Sequence, residues 1–198
     1  MSKNILDKFV LKSAYLKASK YYQESHRFYH NKKHLDMVLF AYDRIANGAN
    51  ASDYFAILYH DAIYDPKSNT NEEDSAELFR KDFVDTLESC IFERAYHAIL
   101  GTKHGSKYPV VSEYVHDSDL AILGAPSAIY EDYANNVRKE FSFVNDIAWN
   151  EGRIKALESF KKQKIFLSEE FQFLEEQAKT NITIEIKKCQ NNLNMLSS

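Results

Sequence analysis

The chain of 198 residues fits one domain, and with 44% hydrophobic residues it can bury a substantial core, which excludes a disordered segment. A net charge of -4 argues against a general nucleic-acid binder, and no apolar run approaches the ~20 residues that a membrane span needs. With only 5 Gly and 3 Pro, the chain lacks the tight turns of a sheet-rich protein, so long helices with few connections are expected.

Residues 4 to 28 read as an opening helix rich in Leu, Phe and Tyr. Asn31 is placed to cap the next helix, in which Leu35, Val38, Leu39, Tyr42, Ile45 and Ala46 follow the i, i+3, i+4, i+7 pattern until Asn47-Gly48 stops it. His34 falls near that apolar face. A third helix is expected from about 51 to 63, ending in His60 and Asp61 before Asp65-Pro66 breaks it. Thr70-Asn71-Glu72-Glu73 reads as a capping box, with Thr70 as N-cap and Glu73 at N3, opening a helix that reaches about Phe83. Leu87, Ile91, Ala95 and Ile99 stripe a fifth helix ended by Gly101. A polar loop containing His104 leads to a helix over 110–123 that carries Asp117 and Asp119 and stops at Gly124. Tyr130, Tyr133, Ala134, Val137 and Phe141 stripe a seventh helix, and a short helix follows Gly152. Ser168 is expected to cap a long last helix with Leu167, Phe171, Leu174, Ala178 and Ile182 on one face, and the tail after about residue 187 to fray. The expected fold is all-α, one domain over 1–198 with about eight or nine helices and no strand of consequence. Cys90 and Cys189 make no disulfide framework, no signal peptide is visible, and the expected home is the reducing cytoplasm.

The chemistry gathers around Tyr59-His60-Asp61-Ala62, at the end of the apolar run Tyr54-Phe55-Ala56-Ile57-Leu58-Tyr59. Carrying a carboxylate and an imidazole into a core is costly unless a cation or hydrogen bonds compensate. Upstream stands Tyr29-His30-Asn31-x-x-His34, and downstream Asp117-Ser118-Asp119-Leu120. His34, His60, Asp61 and Asp119 make a mixed nitrogen and oxygen donor set of the kind that suits Mn, Fe, Mg, Co, Ni or Zn, with positions left open for water. Asp117 and Asp119, two residues apart on a helix, point ~200° apart, so only one of them can face the cation.

The ordered pattern His, His-Asp, Asp on an all-helical chain resembles the HD superfamily of metal-dependent phosphohydrolases. Tyr29-His30-Asn31-x-x-His34 is similar to the motif that opens the cyclic-nucleotide phosphodiesterases. A bacterial family of HD-type phosphohydrolases resembles the chain more closely, at His60-Asp61-Ala62-Ile63-Tyr64-Asp65-Pro66, Asn71-Glu72-Glu73-x-Ser75-Ala76, Asp117-x-Asp119-Leu120-x-Ile122-Leu123-Gly124 and Val137-Arg138-x-Glu140, within residues 25–185. The resemblance implies His34, His60, Asp61 and Asp119 as metal ligands, Asp119 rather than Asp117, with Asp117 bracing a ligand. It implies His30 as the proton donor to the leaving oxygen. The chain is shorter than the phosphodiesterases and lacks their glycine-rich stretch after the His-Asp pair, so the resemblance stops short of cyclic-nucleotide chemistry.

Other residues have weaker claims. Glu72 is a candidate general base beside Asp61, and both are placed with His30 in the catalytic set; Glu73 reads as structural. His104, Lys103 and Arg138 are candidates to hold substrate phosphate, with Lys32, Lys33 and Lys107 behind them, while His97 and His116 read as surface or packed residues. Asp61 can bridge a second, weaker ion, for which Glu72 and His104 are the nearest further ligands. The expected activity is hydrolysis of a nucleotide or another small phosphate ester or phosphodiester through a metal-activated water, with a homodimer compatible with the sequence. The alternative is a non-catalytic metal- or nucleotide-binding module that signals to a partner. A di-iron carboxylate bundle is discounted because only Glu113-Tyr114-Val115-His116 fits the required Glu-x-x-His. No His-Glu-x-x-His and no Gly-rich phosphate loop occur, which argues against a zinc protease and against a kinase or ATPase.

Overall fold

Nine α-helices and no strand make up the described residues, 3–45, 50–105 and 107–197, of the computed structural model. The all-α expectation holds. Among the described residues no helix is long and apolar enough to cross a membrane. By its Cα packing the chain divides into two compact units, residues 1–119 and 120–198, at a point where the sequence carries no Pro- or Gly-rich linker.

The first unit holds α1 (Lys3–Ala18), α2 (Lys32–Ile45), α3 (Ala51–Tyr59), α4 (Asn71–Phe83), α5 (Ser89–Leu100) and all but the last residue of α6 (Glu113–Leu120). Helix α3 is its axis. Seven of its nine residues are buried, so it is enclosed all round rather than amphipathic, and it packs on α1, α2, α4 and α5. Phe55 and Tyr59 on α3 meet Phe79 and Phe83 on α4, with ring centroids 5.0–5.8 Å apart. This aromatic layer brings the C-terminal end of α3, and hence His60, into the interior. Gly101 ends α5 as expected. A Cβ there would stand 2.6 Å from the Pro109 carbonyl oxygen, so a side chain has no room and the loop after α5 folds directly onto that glycine.

Several boundaries differ from the sequence reading. The opening helix stops at Ala18 instead of running to 28, and a 3-10 turn over Tyr21–Gln23 follows. The cause is tertiary: the segment turns to bury Arg27, whose guanidinium bonds backbone carbonyls 34 and 35 residues away, and such a demand overrides helix propensity. Asn31 caps α2 as expected, its Oδ1 accepting the Lys33 N–H at 2.8 Å; the Asn47-Gly48 stop lies outside the described residues. Helix α3 ends at Tyr59 with His60 as its C-cap, so Asp61 sits on a turn beyond the helix. The capping box does not form. Thr70 makes no cap bond and gives its hydroxyl to Asp74 at 2.9 Å, while Glu73 turns to Lys103. The helix expected over 110–123 is α6 followed by a 3-10 turn over Ala121–Gly124.

The second unit holds α7 (Ser127–Glu140), α8 (Asp146–Lys161) and α9 (Glu175–Leu196). Its buried core includes Leu123, Tyr130, Leu157, Ile165, Phe166, Phe171 and Ile182. Gly152 lies inside α8 with nothing near its missing side chain, so the helix begins at the Asn145 cap and not after the glycine. Ser168 does not cap the last helix. The Glu175 carboxylate accepts the Ile165 and Phe166 N–H groups, which holds 162–171 out of helical geometry and delays α9 to residue 175. Helix α9 continues to Leu196, past residue 187 where the tail was expected to begin, and buries Glu185 and Cys189. A Cβ on Gly124 would stand 2.6 Å from Leu174 Cβ, which makes this glycine the close-approach point of the unit.

Candidate functional site

Four elements of the first unit deliver the donors. His34 comes from the first turn of α2, His60 from the C-cap of α3, Asp61 from the turn after it and Asp119 from the last turn of α6. Both imidazoles are buried, at 2% exposure, while the Asp61 and Asp119 side chains keep 16% and 18%, so the cluster opens to solvent on its carboxylate side. The two Nε2 atoms lie 3.2 Å apart. Asp61 Oδ2 is 3.6 Å from His34 Nε2 and 3.2 Å from His60 Nε2. Asp119 Oδ1 is 3.3 Å and 3.5 Å from the same two atoms. Donors ~2.1 Å from a common ion would be separated by ~3.0 Å as octahedral neighbours and ~3.4 Å at tetrahedral corners, so the spacings from each imidazole to its neighbours suit cation binding. His34, His60 and Asp61 form a group that can hold a metal ion.

The tautomer of His60 follows from its other nitrogen. Nδ1 lies 2.8 Å from the Ile57 carbonyl oxygen, which only accepts, so Nδ1 carries a proton, and in the neutral ring Nε2 is the nitrogen left with a lone pair facing the cluster. His34 Nδ1 meets the Tyr29 hydroxyl at 3.1 Å, which orients that ring. The charges are strongly coupled. Burial disfavours an imidazolium at His34, but hydrogen bonds to Asp119 and Asp61 outweigh it and raise its pKa. At His60 burial is again outweighed, chiefly by the charge of Asp61, and the pKa rises well above the usual imidazole value. Burial also works against the carboxylates, yet His60, with hydrogen bonds from His34 and His60, holds Asp61 well below the usual carboxylate range and lowers Asp119 too.

His30 lies beside this set and not in it. Its ring is 5.5 Å from that of His34, edge-on to Tyr29 at 4.8 Å, and stacked on Tyr64 at 4.3 Å. Glu72 on α4 is half-buried; burial raises its carboxyl pKa, and the negative charge of Asp61 adds to the rise. Lys103 is committed to carboxylates, with Nζ 2.6 Å and 2.8 Å from the two Glu73 oxygens and 3.6 Å from Glu72. His104 is solvent-accessible and edge-on to His116 at 5.8 Å. Protein crowded around it lowers its pKa, against the pull of Asp119 and Asp61. Asp117 is fully buried and meets His116 Nδ1 at 2.9 Å. Lys32 pairs with Asp36, and Lys33 and Lys107 are exposed. Arg138 belongs to the second unit, where its guanidinium bonds the Phe141 and Val144 carbonyls and Asp146 and covers Trp149.

Three residues that hold the site were assigned no role from the sequence. Arg27 bonds the carbonyls of His30, Asp61 and Ala62. The Tyr22 hydroxyl accepts the Asp61 N–H at 3.3 Å, and burial pushes its pKa up to about 12. Ser75 Oγ accepts the Ile63 N–H at 3.0 Å and lies 3.2 Å from the Ile63 carbonyl oxygen. All three act on main-chain atoms. Ser75 was within reach, since it falls in a stretch that carries the family resemblance. Comparison with family models, curated proteins and solved structures returned no match to this chain.

Proposed function

We propose that the chain is a metal-dependent phosphohydrolase of the HD type, acting on a nucleotide or another small phosphate ester or phosphodiester. The observation that carries this reading is the convergence, from three separated stretches, of two imidazole Nε2 atoms 3.2 Å apart, each lying 3.2–3.6 Å from a carboxylate oxygen of Asp61 and of Asp119. His34, His60, Asp61 and Asp119 would hold the ion, one of Mn, Fe, Mg, Co, Ni or Zn. When bound, such an ion acidifies water and polarises a phosphoryl oxygen. His30, adjacent to the donors but outside them, supplies the proton to the departing oxygen as the phosphorus–oxygen bond breaks. Glu72, its carboxyl raised by burial and by the charge of Asp61, would serve as the base. Tyr64 and Tyr29 hold the His30 ring. The half-open carboxylate side of the cluster gives the phosphate its approach.

Metal analysis of protein purified without added metal, followed by a panel of nucleotides and phosphate esters, tests the reading. About one ion per chain is expected, with turnover abolished by chelation. His60→Ala should lose both ion and turnover, because removing one partner of a buried charged set leaves the rest uncompensated. A His60→Ala protein with full metal content would defeat the assignment. Metal binding without turnover on any phosphate ester would instead indicate a signalling module.

A further inference from the structure

We propose that Arg27 is a positioning residue that ties the main chain of His30 to the main chain of Asp61; the inference rests on the function proposed above. Arg27 is buried, with a side chain at 0% exposure. Its Nη1 donates to the His30 carbonyl at 3.0 Å and to the Asp61 carbonyl at 2.7 Å, and its Nη2 donates to the Ala62 carbonyl at 2.9 Å. The Glu24 carboxylate takes the remaining N–H directions, 2.8 Å from both Nε and Nη2. The guanidinium thus has a partner for each of its five donors. Its carbon lies 5.2 Å from the Tyr22 ring centroid and 5.4 Å from that of Tyr64. Those two tyrosines reach the same residues by other routes: Tyr22 accepts the Asp61 N–H, and Tyr64 stacks on His30.

The loop before α2 and the turn after α3 are therefore joined through one planar fork. One carries the proton donor, the other a cation ligand. Only arginine fits the task. A lysine ammonium is a point with three donors and cannot span three carbonyls and a carboxylate in one plane. The consequence is a set separation between His30 and Asp61, and a misplacement of about 1 Å between reacting groups can cost ~10²-fold in rate.

Co2+ binding to the full chain tests this, because the visible band of the ion reports its coordination geometry independently of turnover. Arg27→Lys should weaken Co2+ affinity by ~10-fold or more, as loss of a group orienting a ligand does. It should also alter the Co2+ band and lower kcat on p-nitrophenyl phosphate while leaving KM in place, since Arg27 does not meet substrate. Glu24→Gln, which removes the exposed negative charge but none of the three carbonyl bonds, should leave band, affinity and kcat as they were. An Arg27→Lys protein that melts earlier but keeps the wild-type band and affinity would reduce Arg27 to a staple of the fold and overturn the inference alone. Wild-type protein that takes up no Co2+ would overturn the proposed function itself. Should Arg27→Lys not fold, side-chain 15N spectra of the wild type decide. Separately resolved Arg27 Nη protons that shift as Zn2+ is titrated in support the tie, and one averaged signal unmoved by Zn2+ rejects it.

Discussion

Two imidazole Nε2 atoms 3.2 Å apart, each also within 3.6 Å of two carboxylates, form a cluster that needs positive charge at its centre. In chelator-treated protein that charge comes from protons, and the direction of the pH response follows. The pKa values of His34 and His60 are raised on folding, so their contribution to stability is complete below the ordinary imidazole value and is lost as pH climbs through the raised ones. Those of Asp61 and Asp119 are lowered, so their contribution is complete above the ordinary carboxylate range and is lost as pH falls through the lowered ones. The stripped protein should therefore gain most from this cluster between about pH 4 and pH 6.5 and lose that gain as pH rises further. Cation-loaded protein should respond in the opposite sense, because protons compete for the same lone pairs and affinity weakens as pH falls. Melting midpoints of both preparations across the neutral range check this, and parallel slopes would count against a cation site. His30 separates from the donors by the same logic. His30→Ala should retain its ion and slow turnover by ~10²-fold or more, and loss of the ion in that variant would move His30 into the ligand set.

Elements were legible where one physical signal decided them and obscure where a distant contact did. The apolar stripe of α2 and its Asn31 cap are local, and both were read correctly from the sequence. The run ending in His60 marked α3 as a core helix because so few polar residues interrupt it. The end of α1 and the start of α9 were misplaced because Arg27 and Glu175 decide them by bonding main-chain groups far along the chain or outside any helix. A carbonyl or an amide is the same at every residue, so a sequence does not announce which one an arginine or a glutamate will take. For the same reason Arg27 and Tyr22 could not be named in advance, whereas His34, His60, Asp61 and Asp119, taken from the resemblance, do lie beside one another in the fold. Gly124 offers a test at this scale. An added methyl would meet Leu174 Cβ at 2.6 Å and its carbonyl oxygen at 2.9 Å, atoms that cannot swing aside. Gly124→Ala should destabilise the second unit by about 1–3 kcal/mol through overpacking, measured by denaturant midpoint; an unchanged midpoint would mean that the 3-10 turn and the segment at Leu174 part easily.

Across the whole molecule, the donors are separated by 26 residues between His34 and His60 and by 58 between Asp61 and Asp119, so the complete set exists only in the folded first unit. A cation that binds the folded and not the unfolded chain stabilises it by about 2.7 kcal/mol at a hundredfold excess over Kd. The second unit holds none of the four donors. It does hold the sole tryptophan, Trp149, lying under the Arg138 guanidinium and against Phe141. Eleven of the thirteen tyrosines lie in the first unit, with only Tyr130 and Tyr133 in the second. The chain thus carries its own two-colour label. Indole fluorescence follows the second unit, and tyrosine absorbance follows chiefly the first. Adding Co2+ or Zn2+ should raise the melting transition seen by tyrosine, and the indole signal then tells whether that gain is shared. An indole trace that moves in step marks one cooperative transition, and one that stays behind marks two. A tyrosine transition indifferent to the cation would contradict binding at His34, His60, Asp61 and Asp119.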